Sequence, residues 1–174
     1  TPAEFGARAR TLRLLLFDVD GVLTDGGVYV DARGRELKRF HIRDGAGLAA
    51  ARTAGLLTGV VSARASQATM ARATELKMTV VKQGVSDKRA AIAEALIEHR
   101  LTADEVAFMG DDLVDLPALA FAGLAAAPAD AAAEVLDAAG WVATRPGGQG
   151  AVREFIEAVL SARGQWDDVV ARFR

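Results

Sequence analysis

Leu12-Arg13-Leu14-Leu15-Leu16-Phe17 runs directly into Asp18-Val19-Asp20-Gly21. The first stretch has the length of a strand and is apolar at almost every position. A strand apolar on both faces belongs inside a parallel sheet covered by helices on either side. Similar runs recur at Leu56–Val61, Met78–Val81 and Val106–Met109, with helical stretches between them. Ala46–Ala54 reads as a short helix stopped by Gly55, Ser66–Lys77 as a second, and a third runs from a cap at Ser86 to about Arg100. Short elements follow at Pro117–Ala122, Leu124–Ala127, Ala131–Ala138 and Trp141–Ala143, and a final helix at Val152–Ala162. Alternation of this kind predicts one α/β domain over residues 1–174, a doubly wound parallel sheet. Val28–Val30 and Glu36–Ile42 flank the turn tetrapeptide Asp31-Ala32-Arg33-Gly34 and predict a β-hairpin over about residues 27–42 protruding from that domain. The charged tail over about residues 163–174 is expected to be mobile.

Composition supports this and narrows the function classes. With 174 residues, 51% apolar and 25% charged, the chain can bury a sizeable core and is not a disordered tail protein. Twenty-one basic against 23 acidic residues leave a net charge of −2. No basic stripe favours nucleic acid, and no polybasic patch favours an anionic membrane. No apolar run approaches the roughly 18 residues that cross a bilayer. The N-terminal residues hold no apolar signal-peptide segment, so a soluble cytoplasmic protein is expected. Cysteine is absent, which removes disulfides, thiolate zinc sites and cysteine nucleophiles. Two histidines leave little material for histidine chemistry. An active site here is built from carboxylates, hydroxyls, lysine and arginine.

Ligands of doubly wound sheets sit beyond the carboxyl ends of the strands. Polar residues gather there: Asp18 and Asp20 after the first strand, Ser62 after the second, Gly110-Asp111-Asp112 after Val106–Met109, and Lys88 at the start of the Ser86 helix. Residues i and i+2 on an extended chain share a side, so Asp18 and Asp20 crowd one another, and Asp111, Asp112 and Asp115 deepen the negative charge. A divalent cation relieves it, and an all-oxygen donor set favours Mg²⁺ over zinc.

These residues carry a family resemblance. Asp18-Val19-Asp20-Gly21-Val22-Leu23-Thr24-Asp25 resembles motif I of the haloacid dehalogenase superfamily of phosphatases. Val60-Val61-Ser62 resembles motif II, Lys88 motif III, and Gly110-Asp111-Asp112-Leu113-Val114-Asp115 motif IV, in matching order and spacing. Phe40-His41-Ile42-Arg43-Asp44-Gly45, Gln83-Gly84-Val85-Ser86-Asp87-Lys88 and Gly147-Gly148-Gln149-Gly150-Ala151-Val152-Arg153-Glu154 are similar to one branch, phosphatases of keto-deoxy sugar acids. That likeness extends from about Leu12 to Leu160. It implies the Rossmann-like haloacid dehalogenase fold and a Mg²⁺-dependent phosphomonoesterase. By the same resemblance Asp18 is the nucleophile and forms an aspartyl phosphate. Asp20 is the general acid and base, and Ser62 and Lys88 bind the transferring phosphoryl oxygens. Asp18, Asp111 and the Asp20 carbonyl hold the metal. Asp112 and Asp115 act outside the metal's direct ligands. The substrate side falls to Asp20, His41, Ile42, Arg43, Asp44, Gly45, Arg64, Arg72, Lys88 and Arg153.

The spacing between motifs leaves no room for the separate cap domain that many of the superfamily insert. A bare sheet edge and a marginal hairpin both call for a neighbouring subunit. In the resembling branch such hairpins assemble a homotetramer, which is the expected state. Ser62-Ala63-Arg64 stands where Thr-Gly-Arg is usual, and serine keeps the hydroxyl that catalysis needs; two further departures, Ala49 in place of an arginine and His41 in place of an asparagine, fall on the sugar side. They bear on which acidic sugar phosphate is cleaved, an eight-carbon 8-phosphate first and a nine-carbon 9-phosphate as the alternative. Two other classes stand beside the enzyme. One is a non-catalytic assembly domain of the same fold. The other is a phospho-acceptor receiver domain, in which the acidic pair and the acceptor aspartate sit on different strands.

Overall fold

A computed structural model describes residues 1–172 and 174. Among the described residues, eight α-helices and eight strands follow the chain as α1 (Pro2–Thr11), β1 (Leu14–Phe17), β2 (Tyr29–Val30), β3 (Glu36–Leu37), α2 (Ile42–Thr53), β4 (Leu57–Ser62), α3 (Gln67–Glu75), β5 (Val80–Gln83), α4 (Lys88–His99), β6 (Val106–Met109), α5 (Leu116–Phe121), β7 (Leu124–Ala127), α6 (Ala133–Ala138), β8 (Trp141–Val142), α7 (Ala151–Ala162) and α8 (Trp166–Ala171). Six strands form one sheet in the order β5-β4-β1-β6-β7-β8, every neighbouring pair parallel. Two branches of the winding therefore diverge from β1 and β6, and the crevice between their carboxyl ends is where such a fold binds ligands.

β1 is buried along its whole length, and its alternation divides the core. Leu15 and Phe17 face a cluster with Leu48 of α2 and Phe155, Ile156 and Val159 of α7. Leu14 and Leu16 face the opposite cluster with Ile92, Ala95 and Leu96 of α4 and Phe108 of β6. α7 buries Val152, Phe155, Ile156, Val159 and Leu160, a spacing that lines one face of a helix. Each such side chain contributes about 1.5–3 kcal/mol of burial. Phe155 meets Phe17 edge-on at 6.4 Å, fixing α7 against the sheet's central strand.

Several boundaries differ from expectation. α1 was not anticipated; Thr1 and Glu4 form a capping box around Pro2 and start it, and Arg163 of the α7 end donates to the carbonyl of Leu12 at its other end. The hairpin pairs only Tyr29–Val30 with Glu36–Leu37, because His41 caps α2 and Ile42 is already helical. Asp87, not Ser86, caps α4, accepting the Ala90 amide at 2.9 Å. The tail expected to be mobile forms α8, and Val169 anchors it in the core at 7% exposure; Phe173 lies outside the described residues. No helix among the described residues is long and apolar enough to cross a membrane.

Candidate active site

Asp18 leaves β1 with its amide still bonded to the Met109 carbonyl of β6 at 2.9 Å, so the two strands are locked together up to the point where chemistry begins. The chain then turns sharply: Leu23 and Thr24 donate to the Val19 carbonyl at 3.0 Å, and the buried Thr24 hydroxyl accepts the Gly26 amide at 3.2 Å. Gly21 makes the turn possible with φ +86°, and a Cβ there would lie 2.0 Å from Asp111 Oδ2. Motif I and motif IV therefore meet with nothing between them.

Lys88, the first residue of α4, is 5% exposed and reaches back under this turn. Its Nζ lies 2.9 Å from Asp18 Oδ2 and 2.6 Å from Asp115 Oδ1. Asp115 is fully buried, and its other oxygen accepts the amides of Asp111 at 3.0 Å and Asp112 at 3.3 Å. It thus fixes both the lysine and the loop that carries Asp111. Ser62 ends β4 at 2% exposure, on the same edge. Ala63 in the following position has an ordinary negative φ, so the missing glycine leaves no strain.

Carboxylate oxygens of Asp18, Asp111 and Asp115 come within 4.8 Å of one another. One ammonium against these three carboxylates leaves two negative charges uncompensated. Burial, only partly offset by Lys88, pushes the Asp18 carboxyl up to about 6. Burial together with Asp18 and Asp115 pushes Asp111 up to about 7. For Lys88, burial works against the charged form, but the two aspartates outweigh it and raise its pKa. Asp111 Oδ1 is buried and has no hydrogen-bond partner. An orphaned carboxylate oxygen facing a two-charge deficit, with only oxygen donors around it, fits a hard divalent cation.

Sequence reading missed the second half of the site. The hairpin sets Glu36 and Lys38 against Asp20 and Arg64, two residues that line the cleft. Lys38 bonds Asp20 Oδ1 and stands 3.1 Å from Glu36 Oε1, while Arg64 bonds Glu36 Oε2 and lies 3.7 Å from Asp20 Oδ2. The bond to Arg64, then that to Lys38, holds the Glu36 carboxyl down to about 2. The signal was present as Glu36-Leu37-Lys38, an alternating strand with both charges on one side, but nothing local says which loop that side covers.

The cleft of about 280 Å³ is lined by Asp18, Asp20, Ser62, Arg64, Lys88 and Asp111 among others, so the structure brings these six together. The remaining expected substrate residues do not line it. His41, Asp44, Gly45 and Arg72 close a separate pocket with Phe40, and Arg72 stacks over that ring and pairs with Glu75. Asp44 is buried and accepts the Arg153 amide at 2.8 Å, joining α2 to the start of α7. Burial raises its pKa. Arg43 and Arg153 border another hollow, beside Arg145 and Glu157, and Ile42 is 76% exposed on the surface.

Comparison with known proteins agrees with this geometry. Residues 49–156 match the haloacid dehalogenase-like hydrolase family. The 3-deoxy-D-manno-octulosonate 8-phosphate phosphatase of Escherichia coli K12 is 38% identical over 166 residues, 95% of this chain and 88% of that protein. Among solved structures, a hypothetical protein of Xanthomonas campestris shares 45% identity with TM-score 0.95, covering 99% of this chain and 94% of the other. The 3-deoxy-D-manno-octulosonate 8-phosphate phosphatase of Moraxella catarrhalis, solved with magnesium, phosphate and the sugar acid, shares 32% identity with TM-score 0.96 and covers 98% of both chains.

Proposed function

The chain belongs to the haloacid dehalogenase-like hydrolases, and from that premise we infer that it is a Mg²⁺-dependent phosphoric monoester hydrolase acting on 3-deoxy-D-manno-octulosonate 8-phosphate. The single observation that carries the reading is the convergence of Asp18, Lys88 and Asp111, with Asp111 Oδ1 left unpartnered.

The roles of individual residues are our proposal. Asp18, Asp111 and the Asp20 carbonyl would hold the metal. When bound, magnesium offsets the repulsion between a carboxylate and a phosphate dianion. Asp18 attacks phosphorus; an Asp18–phosphorus bond forms as the bond to the sugar oxygen breaks, and Asp20 delivers a proton to that oxygen. Water then attacks the acyl phosphate, gives its proton to Asp20, and releases phosphate with Asp18 regenerated. Lys88, held between two carboxylates, and Ser62 bind the phosphoryl oxygens. With every partner preplaced, most of the rate comes from positioning and charge neutralisation. Arg64, 49% exposed at the rim, is placed to meet the substrate's carboxylate or hydroxyls.

A phosphate-release screen over eight- and nine-carbon keto-deoxy sugar-acid phosphates with magnesium tests the assignment. The eight-carbon 8-phosphate is expected to give the highest kcat/KM, and preference for the nine-carbon ester would overturn the substrate. We also propose a homotetramer built through the hairpin. Val28, Val30 and Leu37 stand 59–60% exposed there, and a two-residue pairing is marginal alone. Sedimentation at the mass of one chain would refute it.

A further inference from the structure

We propose that Lys38 is the residue that positions Asp20 for proton transfer to the leaving group, so that the hairpin is a working part of the active site and not only an assembly element. This rests on the reading of Asp20 as general acid. Lys38 follows β3 directly, and its side chain is 3% exposed, almost wholly withdrawn from water. Burying an ammonium is unfavourable unless it is paired, and Lys38 has two carboxylates, Asp20 and Glu36. Glu36 is in turn held by Arg64, whose Nε stands near the second oxygen of Asp20. The four side chains form a closed, charge-balanced ring, of which Asp20 and Arg64 line the cleft. Within it each Asp20 oxygen faces one cation, so the carboxyl cannot rotate freely toward the neighbouring acidic cluster of Asp18 and Asp111.

Position matters more for Asp20 than for any other group in the cleft. Asp20 stands just before the turn at Gly21 and its side chain is 24% exposed, whereas Asp18 and Asp115 are locked by Lys88. No bond within β1 or the turn fixes the Asp20 carboxyl; the contacts that do come from the hairpin and from Arg64. A general acid contributes only when it stands within hydrogen-bond reach of the oxygen it protonates. Lys38 supplies that placement from within the same chain.

The test separates proton delivery from everything else by leaving-group basicity. A sugar alkoxide must be protonated as it departs, whereas p-nitrophenolate leaves without help. Lys38→Met keeps the stem and removes the charge. On 3-deoxy-D-manno-octulosonate 8-phosphate the rate of sugar release in the first turnover is expected to fall at least about tenfold, a share of the roughly 10²–10⁴ that general acid catalysis supplies. On p-nitrophenyl phosphate the rate of the first-turnover burst of p-nitrophenolate is expected to stay within about threefold of wild type; hydrolysis of the aspartyl phosphate, where Asp20 takes the water's proton for either ester, lies outside this comparison. Lys38→Arg should recover part of the loss on the sugar phosphate. A retained burst of p-nitrophenolate also shows that the variant is folded. Equal losses on both esters, or no loss on either, would overturn the proposal. Asp20→Asn measured alongside keeps the two readings apart. A selective loss in Asp20→Asn without one in Lys38→Met refutes the role of Lys38 alone, and equal losses in Asp20→Asn refute the general-acid reading beneath it.

Discussion

Replacing Asp115 by asparagine keeps the side chain's shape and removes one charge at the point where three parts of the site meet. The carboxylate accepts Lys88 at 2.6 Å on one oxygen and the amides of Asp111 and Asp112 on the other. A carboxamide has one acceptor and one donor end. Turned to satisfy the two amides, it presents NH₂ to the Lys88 ammonium; turned to satisfy Lys88, it presents NH₂ to two N–H groups. The first arrangement is the less costly, and it still forfeits one buried charge-assisted bond, worth about 1.5–3 kcal/mol. The residue is fully buried, so water cannot compensate. Lys88 keeps its pair with Asp18 at 2.9 Å, so no unpaired charge adds to this, and the upper end of that range, about 3 kcal/mol, bounds the loss. For a chain of this length that is a Tm lowered by roughly 6–12 °C. Magnesium should also bind at least about tenfold more weakly, since a negative charge beside the metal ligands is gone and Lys88 competes more strongly for Asp18. Thermal melts in chelator, followed by calorimetric magnesium titration, read both effects. A Tm within about 1 °C of wild type, with unchanged magnesium affinity, would refute the argument that Asp115 holds the site together.

Asp18 at about 6 and Asp111 at about 7 lie above the 3.8 of the free side chain, so the metal-free folded state binds more protons than the unfolded one. Its stability therefore falls as pH rises from about 4 through 7, and magnesium, which needs both groups ionised, should raise Tm far more at pH 8 than at pH 5.5; an equal gain at both pH values would contradict the two shifts. In Gly147→Ala a Cβ would lie 1.7 Å from the Gly21 carbonyl oxygen, so the motif I turn must move, and magnesium affinity should fall together with Tm; a fall in Tm alone would separate that loop from the site. Phe155→Ala should lower stability by about 3–5 kcal/mol, measured by urea unfolding, because the side chain is fully buried against Phe17 and Trp141.

Much of the site was legible because its residues are tied to strand ends. Once LRLLLF is read as a buried strand, Asp18 must emerge at the sheet's carboxyl edge, and the same logic brings Ser62 and Asp111 beside it. Lys88 followed from the cap of its helix, although the cap is Asp87. What stayed hidden depends on contacts between elements. Lys38 touches Asp20 only because the hairpin folds back against residues that line the cleft, and the full burial of Asp115 has no trace in the sequence around it. The run His41–Gly45 was expected at the sugar, yet α2 begins at Ile42 and turns Asp44 inward to meet α7. The helix α1 was missed although its start signals, Thr1, Pro2 and Glu4, are local, because the polar helix buries only Ala9 and shows little apolar stripe.

Every other proposed role depends on Asp18 being the nucleophile among the metal-binding carboxylates. Rapid quench of the enzyme mixed with magnesium and phosphorus-labelled sugar phosphate, followed by peptide mapping, tests it directly. Label should appear transiently on the peptide carrying Asp18 and disappear as free phosphate forms. Full-speed product release with no labelled peptide, or with label on another residue, would contradict it.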